Sequence, residues 1–131
     1  MVGIVLVSHS PRIAGGTMDL VRQMVGDKVP IEIAAGTADG RLGTDADLIG
    51  EKIRKVYGGD GVLVMVDLGS AVLSTEFAIE NLEEPLASAT VIADAPFVEG
   101  TVAAAIESSF GKSLAEVRAA AEGVKAYSKL G

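Results

Sequence analysis

Two rhythms of apolar and polar positions alternate along the chain. Residues 2–8, VGIVLVS, form an unbroken and largely β-branched apolar run closed by Ser8. A run of that length with no polar alternation predicts a strand covered on both faces. The rhythm changes at Pro11. Ile13, Met18, Leu20, Val21 and Val25 follow at helical spacing, and the pattern stops near Gly26. Pro11 suits the first helical position, with Ser10 as its cap. Residues 29–36, VPIEIAAG, predict a second short strand, and residues 37–43, TADGRLG, a glycine-punctuated loop. Thr44 is then expected to cap a helix running to about Tyr57, with Leu48, Ile49, Ile53 and Val56 at helical spacing.

Residues 61–70, GVLVMVDLGS, repeat the pattern of the first strand: five apolar residues, then a polar end. A helix is expected from about Ala71 to Leu82. Residues 88–96, SATVIADAP, predict the fourth strand, and Pro96 can start the next helix. Two helices close the chain, split by FGKS at 110–113. Ser113 and Glu116 carry the S-x-x-E signature of a capping box. Leu114, Val117, Ala121 and Val124 then form a narrow apolar seam, suited either to the core or to a helix–helix contact within a dimer. There is no internal repeat, linker or low-complexity segment. Strands alternating with helices imply right-handed βαβ units and a parallel sheet. The expectation is an α/β fold: a doubly wound, mainly parallel sheet of order 2-1-3-4 with helices on both faces. It should form one domain over residues 1–131.

Composition narrows the picture. Apolar residues make up 49% of the chain, with only three Phe, two Tyr and no Trp, so the core must be aliphatic. The absence of cysteine removes disulfides and thiolate metal sites and fits a reducing compartment. A net charge of −7 argues against a nucleic-acid partner, whose phosphates need Lys and Arg, but suits a basic patch on a protein. Mean hydropathy is positive. Even so, every apolar run is broken well short of the roughly 18 to 20 residues a membrane span needs. The N-terminus lacks the basic stretch and cleavage site of a signal peptide. These features predict a soluble, cytoplasmic protein.

The chain has a single histidine, His9, where the first apolar run ends. In a doubly wound sheet, ligands bind beyond the carboxyl ends of the strands where the order reverses. Here that crevice lies between strands 1 and 3. His9 ends the first and Asp67 ends the third, so residues distant in sequence are expected to be neighbours. Each has a plainer reading. A lone histidine is more often structural or exposed, and Asp67 alone could cap the segment after it. Asp39 and Asp94 read as turn residues or caps.

Several chemistries lack their residues. A receiver domain needs acids at the end of strand 1, where this chain has Ser8 and His9. There is no G-x-G-x-x-G, no G-x-x-x-x-G-K-[ST] and no G-x-S-x-G. One histidine and scattered aspartates make a weak metal site. Ser10 or Ser70 could join His9 and Asp67 in a hydrolase triad, but neither sits on a recognisable elbow. What remains is His9 as a nucleophile. Asp67 would accept Nδ1–H, leave Nε2 unprotonated to attack a phosphoryl group, and offset the charge the ring acquires. Backbone N–H groups at the helix starts after Ser10 and Ser70 would hold phosphate oxygens. The loop from Gly36 to Gly43 and the turn at Gly69 would form a rim of small residues. This step needs no metal and no cofactor.

With these residues placed, the motifs GIVLVSHSPRIAGG, AAGTADGRLGTD, VLVMVDLGSA and VIADAPFVEG can be taken together. Through them the chain resembles the phosphotransferase subunits of bacterial dihydroxyacetone kinases, a branch of the mannose-type enzyme IIA group of the sugar phosphotransferase system. The likeness spans residues 3–100, and the C-terminal helices are compatible with it. It implies the mannose-type enzyme IIA fold in a homodimer, with His9 phosphorylated and Asp67 its partner. It implies that the histidine phosphocarrier protein HPr is the donor. The acceptor would be ADP held on the nucleotide-binding kinase subunit, so that ATP is regenerated in place. Transporter domains of the group carry H-G after strand 1 and a Gly-Gly-Ser-Pro stretch after strand 3. The HS and LGSAVL of this chain favour the kinase branch. Some members of that branch are fused to HPr-like and enzyme I-like domains, which are not found here, so the chain is a free-standing subunit or an excised domain. The alternatives are an enzyme IIA domain of a sugar transporter, and a non-catalytic module in which His9 lines a ligand crevice.

Overall fold

The unbroken apolar run near the N-terminus becomes an inner strand of a four-stranded sheet with helices on both sides. The computed structural model describes residues 1–131 as β1 (Gly3–Ser8), α1 (Pro11–Val25), β2 (Ile31–Ala35), α2 (Ala46–Val56), β3 (Val62–Val66) and α3 (Gly69–Glu80). It continues with β4 (Thr90–Ile92), α4 (Phe97–Ser109), α5 (Leu114–Gly123) and a closing 3-10 turn (Val124–Ala126). All neighbouring strands are parallel, in the order β2-β1-β3-β4. The expected α/β class, sheet order and double winding are therefore all present.

Strand periodicity divides the core in two. Ile4 and Leu6 of β1, with Leu63 and Met65 of β3, face α1, α4 and α5. Val5 and Val7, with Val62 and Val64, face α2 and α3. Both sets are fully buried, which is why β1 and β3 show no polar alternation. Each such side chain contributes about 1.5–3 kcal/mol by leaving water. Gly3 opens β1 because nothing larger fits: a Cβ there would lie 2.5 Å from the Val56 carbonyl oxygen. Most of the expected seam belongs to the core, whereas Val124 lies beyond α5 in the 3-10 turn and outside that cluster. Val117 and Ala121 are fully buried on the α1/α4 side of the sheet, with Leu114 packed against them. No helix is long and apolar enough to cross a membrane.

Element boundaries differ from expectation at four places. Thr44 does not cap α2. Its hydroxyl pairs with Ser74 Oγ at 2.6 Å, tying the start of α2 to α3, and Asp45 is the cap, accepting from the Asp47 and Leu48 amides. The helix α3 begins at Gly69 rather than Ala71, so Ser70 lies inside its first turn, and Leu68 at the cap position makes no side-chain cap. The strand β4 is only three residues long. Its ladder ends at the Ala93 amide, bonded to the Val64 carbonyl, and the Asp94 amide, on the outer side of this edge strand, meets the Glu122 carboxylate at 2.9 Å. Pro96 occupies the cap position of α4, whose first residue is Phe97. The Ser10 cap of α1 and the Ser113–Glu116 capping box of α5 form as expected.

Candidate functional site

Parallel register sets the geometry. Val7 pairs with Val66, so Ser8-His9 and Asp67 leave adjacent strands side by side. The chain then departs toward opposite faces, into α1 from β1 and into α3 from β3. His9 is held between these two helix starts. The loop from Gly36 to Gly43 supports it from behind: the Gly43 amide donates to the His9 carbonyl at 3.0 Å, and the Gly36 amide to the Ser8 carbonyl at 3.2 Å. Gly36 has φ +76°, a left-handed conformation that favours glycine.

Asp67 organises the site. One carboxylate oxygen, Oδ1, lies 2.9 Å from His9 Nδ1 and accepts the Leu68 amide at 2.7 Å. The other, Oδ2, accepts the His9 amide and the Ser8 hydroxyl, each at 2.9 Å. Partial burial works against the charge on Asp67. The His9 amide, the His9 ring, the Ser8 hydroxyl and the Leu68 amide outweigh it and hold the carboxyl below the usual carboxylate range. An ionised Asp67 is an acceptor only, so the hydrogen on Nδ1 must be donated to it. In the neutral imidazole that leaves Nε2 with its lone pair. Nε2 lies 2.5 Å from Ser70 Oγ, on the exposed side of the ring.

The side chain of His9 keeps 24% of its accessibility and that of Asp67 only 11%, so the orienting group is inside and the reactive nitrogen outside. A cavity of about 370 Å³ between the ends of β3 and β4 has Asp67, Leu68, Gly69 and Val72 in its wall, but not His9. His9 lies outside that cavity, partly exposed at the surface. No group of three or more His, Asp or Glu side chains comes together in a form that could hold a metal ion.

The structure thus brings His9, Asp67 and Ser70 into one row, with Gly69 at the start of α3 beside them. The amides of Gly69 and Ser70 belong to the first turn, where helical N–H groups have no partner within the helix. Ser10 stands apart from the row. Its hydroxyl accepts the Ile13 amide at 3.3 Å, and its own amide donates to Ser8 Oγ at 3.0 Å. Asp67 does not cap α3. Asp39 and Asp94 are engaged elsewhere, Asp39 with nearby Arg41 at 2.8 Å and Asp94 with the distant Lys125 at 3.2 Å. Ser8 is the residue that sequence reasoning passed over. Its one signal is a hydroxyl ending an otherwise apolar buried run, next to the only histidine.

Comparison with known proteins agrees with this architecture. The family model for EIIA-man, the PTS system fructose IIA component, matches residues 3–118. A protein of Listeria innocua serovar 6a, described as PEP-dependent dihydroxyacetone kinase 2, phosphoryl donor subunit DhaM, is 45% identical over 108 residues, covering 82% of this chain and 86% of its own. The PEP-dependent dihydroxyacetone kinase phosphoryl donor subunit DhaM of Escherichia coli K12 is 44% identical over 120 residues, 89% of this chain but only 25% of that longer protein. A crystal structure of a protein of unknown function superposes with a TM-score of 0.82 at 38% identity, covering 92% of each chain. The parallel sheet, its order and the match over nearly the whole length lead to one conclusion: the chain belongs to the EIIA-man family of the phosphotransferase system.

Proposed function

We propose that this chain is a phosphohistidine carrier that serves as phosphoryl donor subunit of a dihydroxyacetone kinase. The observation that carries the reading is the polarity of the single imidazole. Nδ1 is tied to a carboxylate held below the usual carboxylate range, and Nε2 lies on the exposed side of the ring beside Ser70. An exposed ring edge suits donors and acceptors that are themselves macromolecules. Two relatives named DhaM, at 44–45% identity, support the kinase branch.

In the loading step, Nε2 attacks the phosphoryl group carried on the histidine of HPr. The Nε2–P bond forms as the N–P bond of the donor breaks, and the lone pair of that bond returns to the donor imidazole. The Nδ1 proton stays on the ring, and the positive charge that develops there faces Asp67. In the unloading step, a β-phosphate oxygen of ADP, held on the nucleotide-binding subunit of the kinase, attacks the phosphorus. The Nε2–P bond breaks, ATP leaves, and His9 returns to its neutral Nδ1–H form. Ser70 Oγ rotates from Nε2 to a phosphoryl oxygen, and the amides of Gly69 and Ser70 hold the others. Ser10 contributes by capping α1, which keeps the positive end of that helix beside His9. Neither step uses a metal or a cofactor. Residues 1–131 act as one carrier domain, in the cytoplasm and as a homodimer.

The test is incubation with phosphoenolpyruvate, enzyme I and HPr, followed by intact mass. One phosphoryl group should appear, labile to acid and stable to base. Folded His9→Gln should take none, and labelling of that variant would refute the assignment. The label should leave only when ADP and the nucleotide-binding subunit are both present. Transfer instead to a mannose-type enzyme IIB would place the chain in a sugar transporter, and no phosphate uptake at all would make it a binding module. The row Asp67–His9–Ser70 also has the order of a hydrolase relay. A serine-directed fluorophosphonate should leave Ser70 unmodified, and its rapid capture would favour that second reading.

A further inference from the structure

Ser8 lies outside the reacting row, yet it is the one completely buried polar side chain that touches it. No part of Ser8 is accessible to solvent. Its oxygen accepts the Ser10 amide at 3.0 Å and its hydroxyl lies 2.9 Å from Asp67 Oδ2. These two contacts leave the hydroxyl hydrogen a single direction. One oxygen lone pair accepts an N–H, and the neighbouring carboxylate can only accept, so the hydroxyl donates to Asp67.

The other donors to Asp67 have different origins. Two are backbone amides, of His9 and Leu68, and one is the His9 ring itself. The amides follow the chain wherever β1 and β3 end. The Ser8 hydroxyl is the only side chain besides His9 that reaches the carboxylate. It engages Oδ2 and so leaves Oδ1 in place for Nδ1. We propose that Ser8 is a positioning residue: its buried hydroxyl fixes the Asp67 carboxylate in the rotamer that keeps His9 in the Nδ1–H tautomer with Nε2 free to react. The consequence for phosphoryl uptake rests on the carrier reading above. The consequence for the tautomer does not.

The physical logic is directional. Without the hydroxyl, Oδ2 keeps one amide donor and the carboxylate is held less firmly about its Cβ–Cγ bond. The Nδ1 contact is then shared between rotamers, and the ring spends part of its time as the Nε2–H tautomer, which has no lone pair at the reacting nitrogen. A hydrogen bond to a charged group is strong enough for its loss to cost about tenfold in rate. The partly buried Ser10 amide also loses its acceptor, so stability must be followed alongside.

The single histidine makes the experiment clean, because imidazole nitrogen resonances of the whole protein report His9 alone. Long-range ¹H–¹⁵N spectra of the wild type should show one ring tautomer, protonated at Nδ1. Ser8→Ala should be folded by circular dichroism and show a tautomer mixture. It should take phosphate from HPr about tenfold more slowly. Ser8→Thr restores a hydroxyl and should recover both properties. If the added methyl prevents that variant from folding, the Ser8→Ala spectrum decides alone. A folded Ser8→Ala with the wild-type tautomer overturns the proposal, whatever its uptake rate, because a slower rate without a tautomer change is a structural effect only. If the wild type takes no phosphate, the carrier reading fails, while the tautomer comparison still tests Ser8.

Discussion

Replacing Asp67 by alanine tests the core of the mechanism. The carboxylate accepts from the His9 and Leu68 amides, the Ser8 hydroxyl and the His9 ring. Only the last of these interactions changes as the reaction proceeds. As the Nε2–P bond forms, the imidazole gains positive charge across a 2.9 Å contact to Oδ1. The pair is partly exposed, so an effective dielectric near that of a protein surface applies. Full charges then attract by about 4 kcal/mol at 4 Å, and half-developed charge by about 2 kcal/mol. Loss of the Nδ1–H preference adds to this. The sum corresponds to a fall of about 10² in phosphoryl uptake. The assay is rapid-quench phosphorylation from HPr read by intact mass, with a thermal melt to show that the variant is folded. The two amides and the Ser8 hydroxyl lose an acceptor as well, at about 1–3 kcal/mol for each that water does not reach. Some loss of stability is therefore expected, and Asp67→Asn serves if the alanine variant does not fold. A folded variant that takes phosphate at the wild-type rate would reduce Asp67 to a tie between two strand ends.

Acid should weaken the same site in a defined window. The carboxyl of Asp67 is held below its ordinary value of 3.8, so its stabilising contribution is complete above that pH and is lost as pH falls through the lower folded-state value. The stability gap between wild type and Asp67→Asn in urea melts should be constant down to about pH 4 and then shrink; a gap that persists unchanged below this would contradict the hydrogen-bonded carboxylate. Gly3→Ala should destabilise the fold by about 1–3 kcal/mol or more, because its Cβ meets the Val56 carbonyl oxygen at 2.5 Å, and backbone cannot yield as a side chain does. An unchanged denaturation midpoint would show that α2 can lift away from β1 at no cost.

Much of this protein is written locally in its chain. The two fully apolar strands, β1 and β3, declare themselves because both faces of each are covered. The Ser10 cap and the Ser113–Glu116 box are legible because they satisfy helix ends within a few residues. The juxtaposition of His9 and Asp67 also follows from sequence, once alternating elements imply a parallel sheet of order 2-1-3-4 with its reversal between β1 and β3. Tertiary structure decided the rest, because the competing partners come from distant segments. Thr44 is a good cap by residue type, but Ser74 of α3 takes its hydroxyl and Asp45 caps instead. The fourth strand is apolar enough to run longer, but only Thr90–Ile92 pair with β3, and the Asp94 amide beyond them meets the distant Glu122 carboxylate. Ser70 reads as a residue before a helix, yet α3 starts at Gly69 and turns the Ser70 hydroxyl to Nε2. Ser8 reads as the plain end of a strand. Its contact with Asp67 exists only because register places Val7 opposite Val66, so that two chain ends emerge at the same level of the sheet. Residue patterns encode which face a side chain takes; which atoms then meet is set by the register between strands.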